Sequence, residues 1–254
     1  MTKAPRPLLV VGAGIAGVTA ALEAAEAGQP VVLVERDPSV GGRVLKNHQY
    51  FPKLCPPACG MEINTRRLAK NPLIRVLVRS QVTAAERDGA GWQVTVRRSA
   101  EHVTEACTAC GDCSAACPAT VADPFNLGLG KVPAIRLPHV DAWPRRFAMD
   151  REACPAGCRA CADACKVPGA IDLDAKGRDE RIAAGAVVVA TGWTPYPIEK
   201  LAELGGGRLP DVVSNVVMER LAAPSGPTGG RILRPSDGAP PRRVAFVQCA
   251  GSRD

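Results

Sequence analysis

The chain has 254 residues, of which 46% are hydrophobic and only 4% aromatic, and its formal charge is +7. This length allows one sizeable core and a smaller second domain. The lysines and arginines are scattered, without interleaved aromatic residues or a recognition-helix pattern, so the composition does not indicate a nucleic-acid-binding protein.

The first predicted elements form a βαβ unit. Leu8–Val11 is a short apolar strand, Ile15–Ala27 an alanine-rich helix that ends at Gly28, and Val31–Glu35 a second strand. The apolar run in this region resembles a signal peptide, but glycines interrupt it and acidic residues follow it at once. No apolar run reaches the roughly 18 residues of a membrane span. We therefore expect a cytoplasmic protein.

The later elements are predicted from shorter patterns. Met61–Lys70 reads as a helix, and Ile74–Ser80 and Trp92–Arg98 alternate as the two strands of a hairpin would. Gly185–Ala190 is uniformly apolar, as a buried parallel strand should be. A last strand is predicted over Val244–Gln248.

A glycine-rich turn joins the first strand to the first helix. Gly12 permits the tight turn, Gly14 lets the backbone approach a pyrophosphate, and Gly17 allows close packing of helix and strand. Glu35, at the end of the second strand, is expected to accept a hydrogen bond from an adenosine ribose. A glycine-rich turn without a ligand is the alternative, and the agreement of strand, helix and acidic residue argues against it.

Two further signatures indicate FAD rather than NAD. Gly41-Gly42-Arg43 follows Glu35, and a strand ends much later in Ala190-Thr191-Gly192. Together they resemble the two-dinucleotide-binding flavoproteins, a family that includes thioredoxin and glutathione reductases. The resemblance implies that Gly42 and Arg43 lie along the FAD and that the Ala190–Gly192 turn closes near it. The predicted cofactor-binding residues are Gly12, Gly14, Gly17, Glu35, Arg36, Gly42, Arg43, Ala190, Thr191 and Gly192.

Eight of the eleven cysteines form two motifs with the spacing of iron–sulfur ligands. The first is Cys107-x2-Cys110-x2-Cys113-x3-Cys117-Pro118, and the second is Cys154-x3-Cys158-x2-Cys161-x3-Cys165. In two-cluster ferredoxins the fourth cysteine of each run binds the other cluster. By that rule one 4Fe-4S cluster is predicted on Cys107, Cys110, Cys113 and Cys165, and the other on Cys154, Cys158, Cys161 and Cys117.

Zinc and disulfides are the alternatives for these cysteines. Structural zinc sites usually pair C-x2-C units across a longer spacer and seldom place three ligands within seven residues. The second motif has one extra residue in its first gap and is the weaker of the two. The 36 residues between Cys117 and Cys154 exceed a usual connection, so Phe125–Arg146 is expected to pack against the flavin domain or a partner.

The remaining cysteines and the histidines carry less information. Cys55 and Cys59 could contribute to a third cluster, form a redox disulfide near the flavin, or be buried core residues. They are the candidate catalytic residues, and no other catalytic residue is predicted. Cys249 is predicted to be structural. The three histidines form no ligand pattern.

These motifs together resemble the A-subunit family of heterodisulfide reductase, and most closely the A subunit of the quinone-interacting membrane-bound oxidoreductase complex. The resemblance covers nearly the whole chain. Besides the motifs above, it includes Phe51–Pro57, Glu62–Asn64, Asn126–Lys131, Trp193 and Gln248–Asp254.

The resemblance implies an α/β fold in which a ferredoxin-like α+β domain with two 4Fe-4S clusters is inserted into the FAD domain. The expected domains are a Rossmann-like FAD-binding segment over 1–103, the insert over 104–174, and the continued FAD domain over 175–254. Proteins of this kind continue past the Gln248–Asp254 string, so the chain is expected to be truncated at its C-terminus.

The predicted function is that of an oxidoreductase subunit, which passes electrons between FAD, the two clusters and partner subunits. By resemblance, the partners include adenylylsulfate reductase and a membrane quinone-interacting subunit, and the protein is peripheral to the membrane through them. The A subunit of a heterodisulfide-reductase-like complex is the first alternative. An NAD(P)H-dependent iron–sulfur flavin enzyme and an inactive fragment are the others.

Overall fold

The computed structural model describes residues 5–251 of the chain. These residues divide into two compact units. Unit 1 contains the residues up to Val44 together with Ala58–Ala122 and Lys131–Gly192, and unit 2 contains Leu45–Pro57, Asp123–Gly130 and the residues from Trp193 onward. The domain limits predicted above follow the cofactor motifs and stay predictions.

Unit 1 holds eleven strands and four helices among its described residues. They are β1 (Leu8–Val11), α1 (Ile15–Glu26), β2 (Val31–Val34), α2 (Ala58–Lys70), β3 (Ile74–Leu77), β4 (Ser80–Asp88), β5 (Gly91–Arg98), α3 (Asp112–Ala115), β6 (Thr120–Ala122), β7 (Lys131–Pro133), β8 (Ile135–Arg136), β9 (Ala148–Met149), α4 (Ala160–Ala164), β10 (Arg178–Ala184) and β11 (Ala186–Val189). Unit 2 contributes α5 (Asn215–Ala222). Within residues 5–251 no helix combines the length and apolarity needed to cross a membrane.

A four-stranded parallel sheet is the framework of unit 1. Its strand order is β11-β1-β2-β3, and β1 pairs in parallel with both β2 and β11. Leu9, Val32 and Val34 belong to its buried core. The predicted βαβ unit is confirmed, because β1, α1 and β2 begin at the predicted residues.

The predicted hairpin is partly wrong. Ile74–Leu77 is the strand β3 of the parallel sheet, and the hairpin is formed instead by β4 and β5, with β10 as a third antiparallel strand. The chain leaves the parallel sheet at Arg79, whose φ is 51° and whose N–H bonds to the Asp37 carbonyl. This left-handed residue lies between β3 and β4 and changes the direction of the chain. The alternation of apolar and polar residues does not reveal such a change.

Two other strand predictions need correction. Gly185–Ala190 does contain β11, but β11 lies at the sheet edge, so it is not the fully buried strand expected. Val189 is 72% exposed. Val244–Gln248 is not a strand, and Phe246 and Val247 are largely exposed. An apolar run becomes a strand only where another strand pairs with it, and the described residues offer this run no partner.

The cysteine-rich part of unit 1 has its own small core. Val103 forms an isolated antiparallel bridge with Ile171, which joins the two ends of the segment. Val103, Ile135, Phe147 and Met149 are buried there together with Cys113 and Cys161. The short helices α3 and α4 each contain the third cysteine of one motif.

Part of the long connection between the motifs contacts the loop after β2. The Val40 N–H donates to the Trp143 carbonyl at 2.9 Å, and Ser39 Oγ lies 2.9 Å from His139 Nε2. For its 131–146 part, the expectation that this connection packs against the flavin domain is therefore confirmed. Residues 123–130 belong to unit 2.

Unit 2 is organised around one buried arginine. Arg220 on α5 is 1% exposed, and its Nε donates to Asn126 Oδ1 at 2.8 Å. Its Nη1 donates to the Lys46 carbonyl at 3.1 Å, and the guanidinium lies over the Phe125 ring. These contacts join all three segments of unit 2. The sequence pattern predicted neither α5 nor this role.

Candidate functional site

The glycine-rich turn brings β1, α1 and the turn after β11 into close contact. Gly12 has a φ of 97°, and a Cβ on it would lie 2.4 Å from the Ala190 carbonyl oxygen. A Cβ on Gly17 would lie 1.8 Å from the Gly12 oxygen and 3.3 Å from the Ala190 Cβ. No side chain fits at either place. Two of the predicted FAD signatures, the Gly12–Gly17 turn and the Ala190–Gly192 turn, are far apart in sequence but meet at one backbone junction.

The remaining signature, Gly41-Gly42-Arg43, lies against the Gly12–Gly17 turn. The Gly41 N–H donates to the Ala13 carbonyl at 2.8 Å, and Gly14 and Gly41 form a parallel bridge. Gly42 has a φ of 58°, and a Cβ on it would lie 2.9 Å from the Gly14 Cα. The backbone contact therefore requires glycine, and it places the neighbouring Arg43 beside the turn. Burial lowers the pKa of Arg43.

The start of α1 is open to a ligand. Gly14 is the N-cap residue, no side chain caps the helix, and no acidic residue lies in its first turn. A Cβ on Gly14 would meet nothing within 4 Å, and Ile15 is 48% exposed. Uncapped N–H groups at a helix start attract phosphate oxygens. This cradle fits the pyrophosphate of a dinucleotide.

Glu35 is buried at the end of β2 with its carboxylate held by the backbone. Its Oε2 accepts from the Ala13 N–H at 2.7 Å, and its Oε1 accepts from the Asp37 N–H at 2.9 Å. Burial raises the pKa of Glu35, and the two backbone hydrogen bonds oppose that rise. Each carboxylate oxygen can accept a further hydrogen bond, so the predicted ribose contact fits this geometry. Arg36, next along the chain, lies 3.7 Å from Asp37 at the surface.

Four cysteines of the two motifs line one cavity. Cys107, Cys110, Cys113 and Cys165 surround a space of about 310 Å³, which includes room open to solvent. This is the ligand set predicted for the first cluster. Burial raises the pKa of Cys113 to about 11, and the charges of the other three cysteines add to the rise. A bound metal reverses this effect, because cluster irons bind the thiolate form.

The wall of this cavity is apolar and supplies backbone donors. Val103, Phe147 and Ile171 line it with the cysteines. The Ala109 N–H donates to Cys107 Sγ at 3.4 Å, and the Ser114 backbone bonds to the Cys113 sulfur. Hydrogen bonds to the sulfurs and exclusion of solvent are two of the factors that set cluster potentials. The cysteine spacing alone did not identify this wall, although the apolar residues beside the motifs were a signal for it.

The second motif is built like the first. Cys113 and Cys161 are each buried in a short helix. The Sγ atoms of the fourth cysteines both donate to a carbonyl two residues on, Cys117 to Ala119 at 3.3 Å and Cys165 to Val167 at 3.6 Å. The pKa of Cys161 is raised by burial, and to a smaller extent by Cys154 and Cys158 nearby.

The extra residue of the second motif is taken up by a turn. The Cys158 N–H donates to the Pro155 carbonyl at 3.1 Å, and Gly157 has a φ of 70°. The first motif places Ala109 in the same left-handed region, with a φ of 56°. Both loops thus use one left-handed residue to bend between their first two cysteines.

No group of three or more His, Cys, Asp or Glu side chains in residues 5–251 is arranged to hold a single metal ion. No disulfide joins any of the cysteines within residues 5–251. A cubane cluster takes one cysteine at each of four irons, whereas a zinc ion draws all its ligands to one centre. The first set offers four cysteines around one cavity, which is the number of ligands that a 4Fe-4S cluster takes.

The other three cysteines belong to neither motif. Cys55 is half-buried in a short loop, where its carbonyl accepts from the Tyr50 N–H, and Cys59 is exposed at the start of α2. The three roles considered for this pair stay predictions. Cys249 is exposed and not a core residue. Of the Gln248–Asp254 string, residues 252–254 lie outside the described residues.

A family of FAD-dependent oxidoreductases matches residues 7–50, the segment that holds both glycine turns and Glu35. This match supports the predicted class of oxidoreductase and the FAD domain.

Curated relatives match almost the whole chain. It is 38% identical over 255 aligned residues to the A subunit of the ferredoxin/F(420)H(2)-dependent CoB-CoM heterodisulfide reductase of Methanosarcina acetivorans. It is 37% identical over 250 residues to the iron-sulfur A subunit of the CoB-CoM heterodisulfide reductase of Methanocaldococcus jannaschii. The alignments cover 100% and 97% of this chain but 32% and 37% of those proteins, so the chain spans about a third of their length.

These relatives confirm the resemblance to the A subunit of heterodisulfide reductase and the predicted class of iron–sulfur flavoprotein. Their names do not mention a quinone-interacting membrane-bound complex, so that finer detail stays an expectation.

Solved flavoprotein structures match a smaller part. A thioredoxin reductase from Bacillus anthracis matches with a TM-score of 0.29 and 16% identity, covering 40% of each chain. The bacillithiol disulfide reductase of Bacillus cereus matches with a TM-score of 0.32 and 15% identity, covering 37% of this chain and 34% of that one. With scores this low, the fold assignment rests on the sheet and the family match.

Proposed function

We propose that this relative of the heterodisulfide reductase A subunit transfers electrons between one FAD and two 4Fe-4S clusters, and onward to partner subunits. The observation that carries the proposal is the cavity lined by Cys107, Cys110, Cys113 and Cys165. Three of these residues come from one motif and the fourth from the other. A zinc site built from the first motif alone would not need Cys165 of the second motif. Cysteines that were simply packed in the hydrophobic core would not need it either.

A bound flavin exchanges electrons in pairs or singly, and a 4Fe-4S cluster exchanges one at a time, so together they convert between the two kinds of carrier. The protein's part is to hold and tune these groups. Cys113 and its three neighbours would bind the first cluster, while Val103 and Phe147 keep water from one side of it. Cys110 is exposed, which leaves another side of this site near the surface for electron exchange.

The second cluster is proposed on Cys117, Cys154, Cys158 and Cys161. Cys154 and Cys158 lie close enough to Cys161 to raise its pKa. The inclusion of Cys117 rests on local symmetry, because Cys117 and Cys165 occupy equivalent positions after equivalent helices. If Cys165 crosses to the first site, its counterpart is expected to cross to the second.

The FAD is proposed to lie along the junction of the three glycine signatures. The N–H groups at the start of α1 would hold its pyrophosphate, and Glu35 would accept from its ribose. Gly42 and Arg43 on one side, and Ala190, Thr191 and Gly192 on another, would flank the cofactor. Arg36 is exposed beside this site.

We propose partner subunits in general, and a specific set of partners as a finer proposal. The names of the curated relatives describe subunits of heterodisulfide reductases, which supports partner subunits for this chain. The finer proposal is that the complex links the quinone pool to adenylylsulfate reductase, with this chain on the cytoplasmic side and held at the membrane by a partner. Only sequence strings such as Phe51–Pro57 and Gln248–Asp254 support this finer proposal.

Anaerobic purification, with iron, zinc and flavin measured on one sample, tests the proposal. We expect roughly eight irons and one FAD per chain, with no stoichiometric zinc. About twelve irons would make Cys55 and Cys59 ligands of a third cluster, which would also need further donors. Zinc in place of iron would refute the cluster assignment. Bleaching of the flavin by NADPH alone would favour the NAD(P)H-dependent alternative.

A further inference from the structure

A second pocket of unit 1 lies where the loop after β2 and the residue after β3 meet the cysteine-rich segment. It contains about 250 Å³, including space open to solvent, and Arg79, Glu101 and Arg146 supply its charged groups. Val103 and Phe147 also line it. None of these residues belongs to the predicted cofactor ligands. We call this space the junction pocket.

Positive charge predominates at the junction pocket. Glu101 Oε1 is shared between two arginines, Arg146 at 3.2 Å and Arg98 at 3.3 Å. Asp150, whose charge also acts on Arg79, is paired with Arg136 at 2.9 Å. Within residues 5–251 Arg79 has no ion pair of its own. The charged groups that line the pocket are therefore two arginines and one glutamate. Glu101 and Asp150 are both already engaged, and Arg98 is also paired with Glu180 at 3.6 Å.

Two guanidinium donors at this pocket also lack acceptors. Arg79 Nε and Arg146 Nη1 are buried from solvent and have no hydrogen-bond partner among the described residues. A buried donor without an acceptor costs about 1–3 kcal/mol, and more when it is charged. Arg146 donates to Glu101 through its Nη2, so its Nη1 is the donor available to a ligand.

We propose that the junction pocket binds a small oxyanion, such as phosphate or sulfate, between Arg79 and Arg146. Planar guanidinium groups match the oxygens of such anions with paired hydrogen bonds. An anion there would supply the missing acceptors and neutralise the excess positive charge. The pocket is small, which favours a free anion or a single terminal group over a larger ligand.

An anion bound in the junction pocket would also affect the first cluster. This part of the proposal rests on the proposed function. Val103 and Phe147 line both the junction pocket and the cavity proposed for the first cluster, so one layer of side chains separates the two. Negative charge close to a cluster opposes the addition of an electron. Occupancy by an anion is therefore expected to move the reduction potential of the first cluster to a more negative value.

Anion binding is tested on the anaerobically purified chain by calorimetry and by melting temperature. Phosphate and sulfate are compared with chloride at equal ionic strength. We expect phosphate or sulfate to raise the melting temperature of the wild type, because a ligand that binds the native state stabilises it. In Arg79→Met the affinity for phosphate should fall at least about tenfold, as expected for loss of a charged hydrogen bond.

Substitutions distinguish an anion-binding role of Arg79 from a purely structural one. Without added oxyanion, Arg79→Met should melt no lower than the wild type, because the substitution removes an unsatisfied buried charge. Arg79→Lys keeps the positive charge but lacks the paired N–H donors of a guanidinium group, so it should bind phosphate weakly. Arg145→Gln is the matched control, since Arg145 is exposed and its Nη1 contacts the Val140 carbonyl. Equal binding by Arg79→Met and the wild type, or no response beyond that of chloride, would overturn the proposal.

Redox titration of the first cluster, followed by electron paramagnetic resonance, tests the effect of a bound anion on this cluster. Phosphate should lower its potential in the wild type and in Arg145→Gln, but not in Arg79→Met. If the chain holds no iron, the proposed function fails while the calorimetric result still decides the anion site. If phosphate binds and the potential stays unchanged, the binding proposal stands and the coupling to the cluster is refuted.

Discussion

The carbonyl oxygen of Gly12 lies 1.8 Å from the place where a Cβ on Gly17 would stand. The turn and the first helix can approach this closely only because Gly17 has no side chain. The same approach leaves the uncapped start of α1 facing open space above Gly14. The packing of the turn and the FAD binding proposed for it therefore depend on the same backbone contact.

Gly17→Ala should abolish FAD binding and leave the iron content nearly unchanged. The new Cβ would have to displace the Gly12 backbone, and overpacking of this kind typically costs about 1–3 kcal/mol or more. Flavin absorbance and iron per chain check the result. Gly60→Ala is the control, because its Cβ would meet nothing within 4 Å on helix α2. Full flavin occupancy in Gly17→Ala would show that the turn tolerates the shift.

Cys165→Ser and Cys113→Ser should lose the same cluster signal, although they lie in different motifs. Both sulfurs line the first cavity. Iron should fall by about four atoms per chain in either variant, while FAD stays bound. Cys161→Ser should remove the other signal. If Cys165→Ser instead removes the signal that Cys161→Ser removes, each motif binds its own cluster and the crossing of ligands is wrong.

Glu35→Gln should weaken FAD binding about tenfold or more. The carboxylate accepts from two backbone N–H groups, and an amide in its place would set a donor against one of them. Fluorescence titration with FAD measures the loss. Glu105→Gln, at an exposed position, controls for the change in charge.

The same residue predicts a pH dependence of FAD affinity. Burial raises the pKa of Glu35, so its carboxylate takes up a proton at a higher pH than an ordinary glutamate. A protonated carboxyl accepts fewer hydrogen bonds. FAD affinity of the wild type should therefore fall as pH decreases through this raised pKa. A pH profile that Glu35→Gln leaves unchanged would assign the dependence to another group.

Glu180→Gln should lower the free energy of unfolding by about 1 kcal/mol. Glu180 on β10 accepts two hydrogen bonds from Arg75 on β3, one of them at 3.0 Å from Nη2 to Oε2. These bonds lower the pKa of Glu180. Its stabilising effect is full above the pKa of an unfolded glutamate and is lost as pH falls through the lowered, folded value.

Denaturant unfolding at neutral and acidic pH checks this effect. The difference between the wild type and Glu180→Gln should shrink as the pH falls. Glu86→Gln, at an exposed position of β4, should change little at either pH. A constant difference across pH would mean that the carboxylate charge is not what stabilises the contact between the two sheets.

Arg220→Met should destabilise unit 2 by about 3 kcal/mol or more, because it leaves buried acceptors unpaired. The acceptors are Asn126 Oδ1 and the Lys46 carbonyl. Hydrogen exchange should increase over 123–130 and over α5, while the cluster signals persist. Arg208→Met, at an exposed position, is the control. Unchanged exchange in Arg220→Met would show that other contacts hold the three segments together.

The sequence by itself determined the elements whose chemistry is local. Glycine spacing predicted the turn at Gly12, since only glycine tolerates such close backbone contact. Cysteine spacing predicted which thiols can reach one cluster, and the first set does line one cavity. Apolar periodicity placed β1, α1 and β2 correctly.

Only the tertiary structure decided what depends on partners distant in the sequence. Whether Ile74–Leu77 joins a hairpin or a parallel sheet depends on pairing with β2, which alternation cannot specify. Val244–Gln248 has the composition of a strand but finds no neighbour to pair with among the described residues. The junction pocket arises because arginines from separate segments converge on one shared carboxylate, and no local pattern records such convergence.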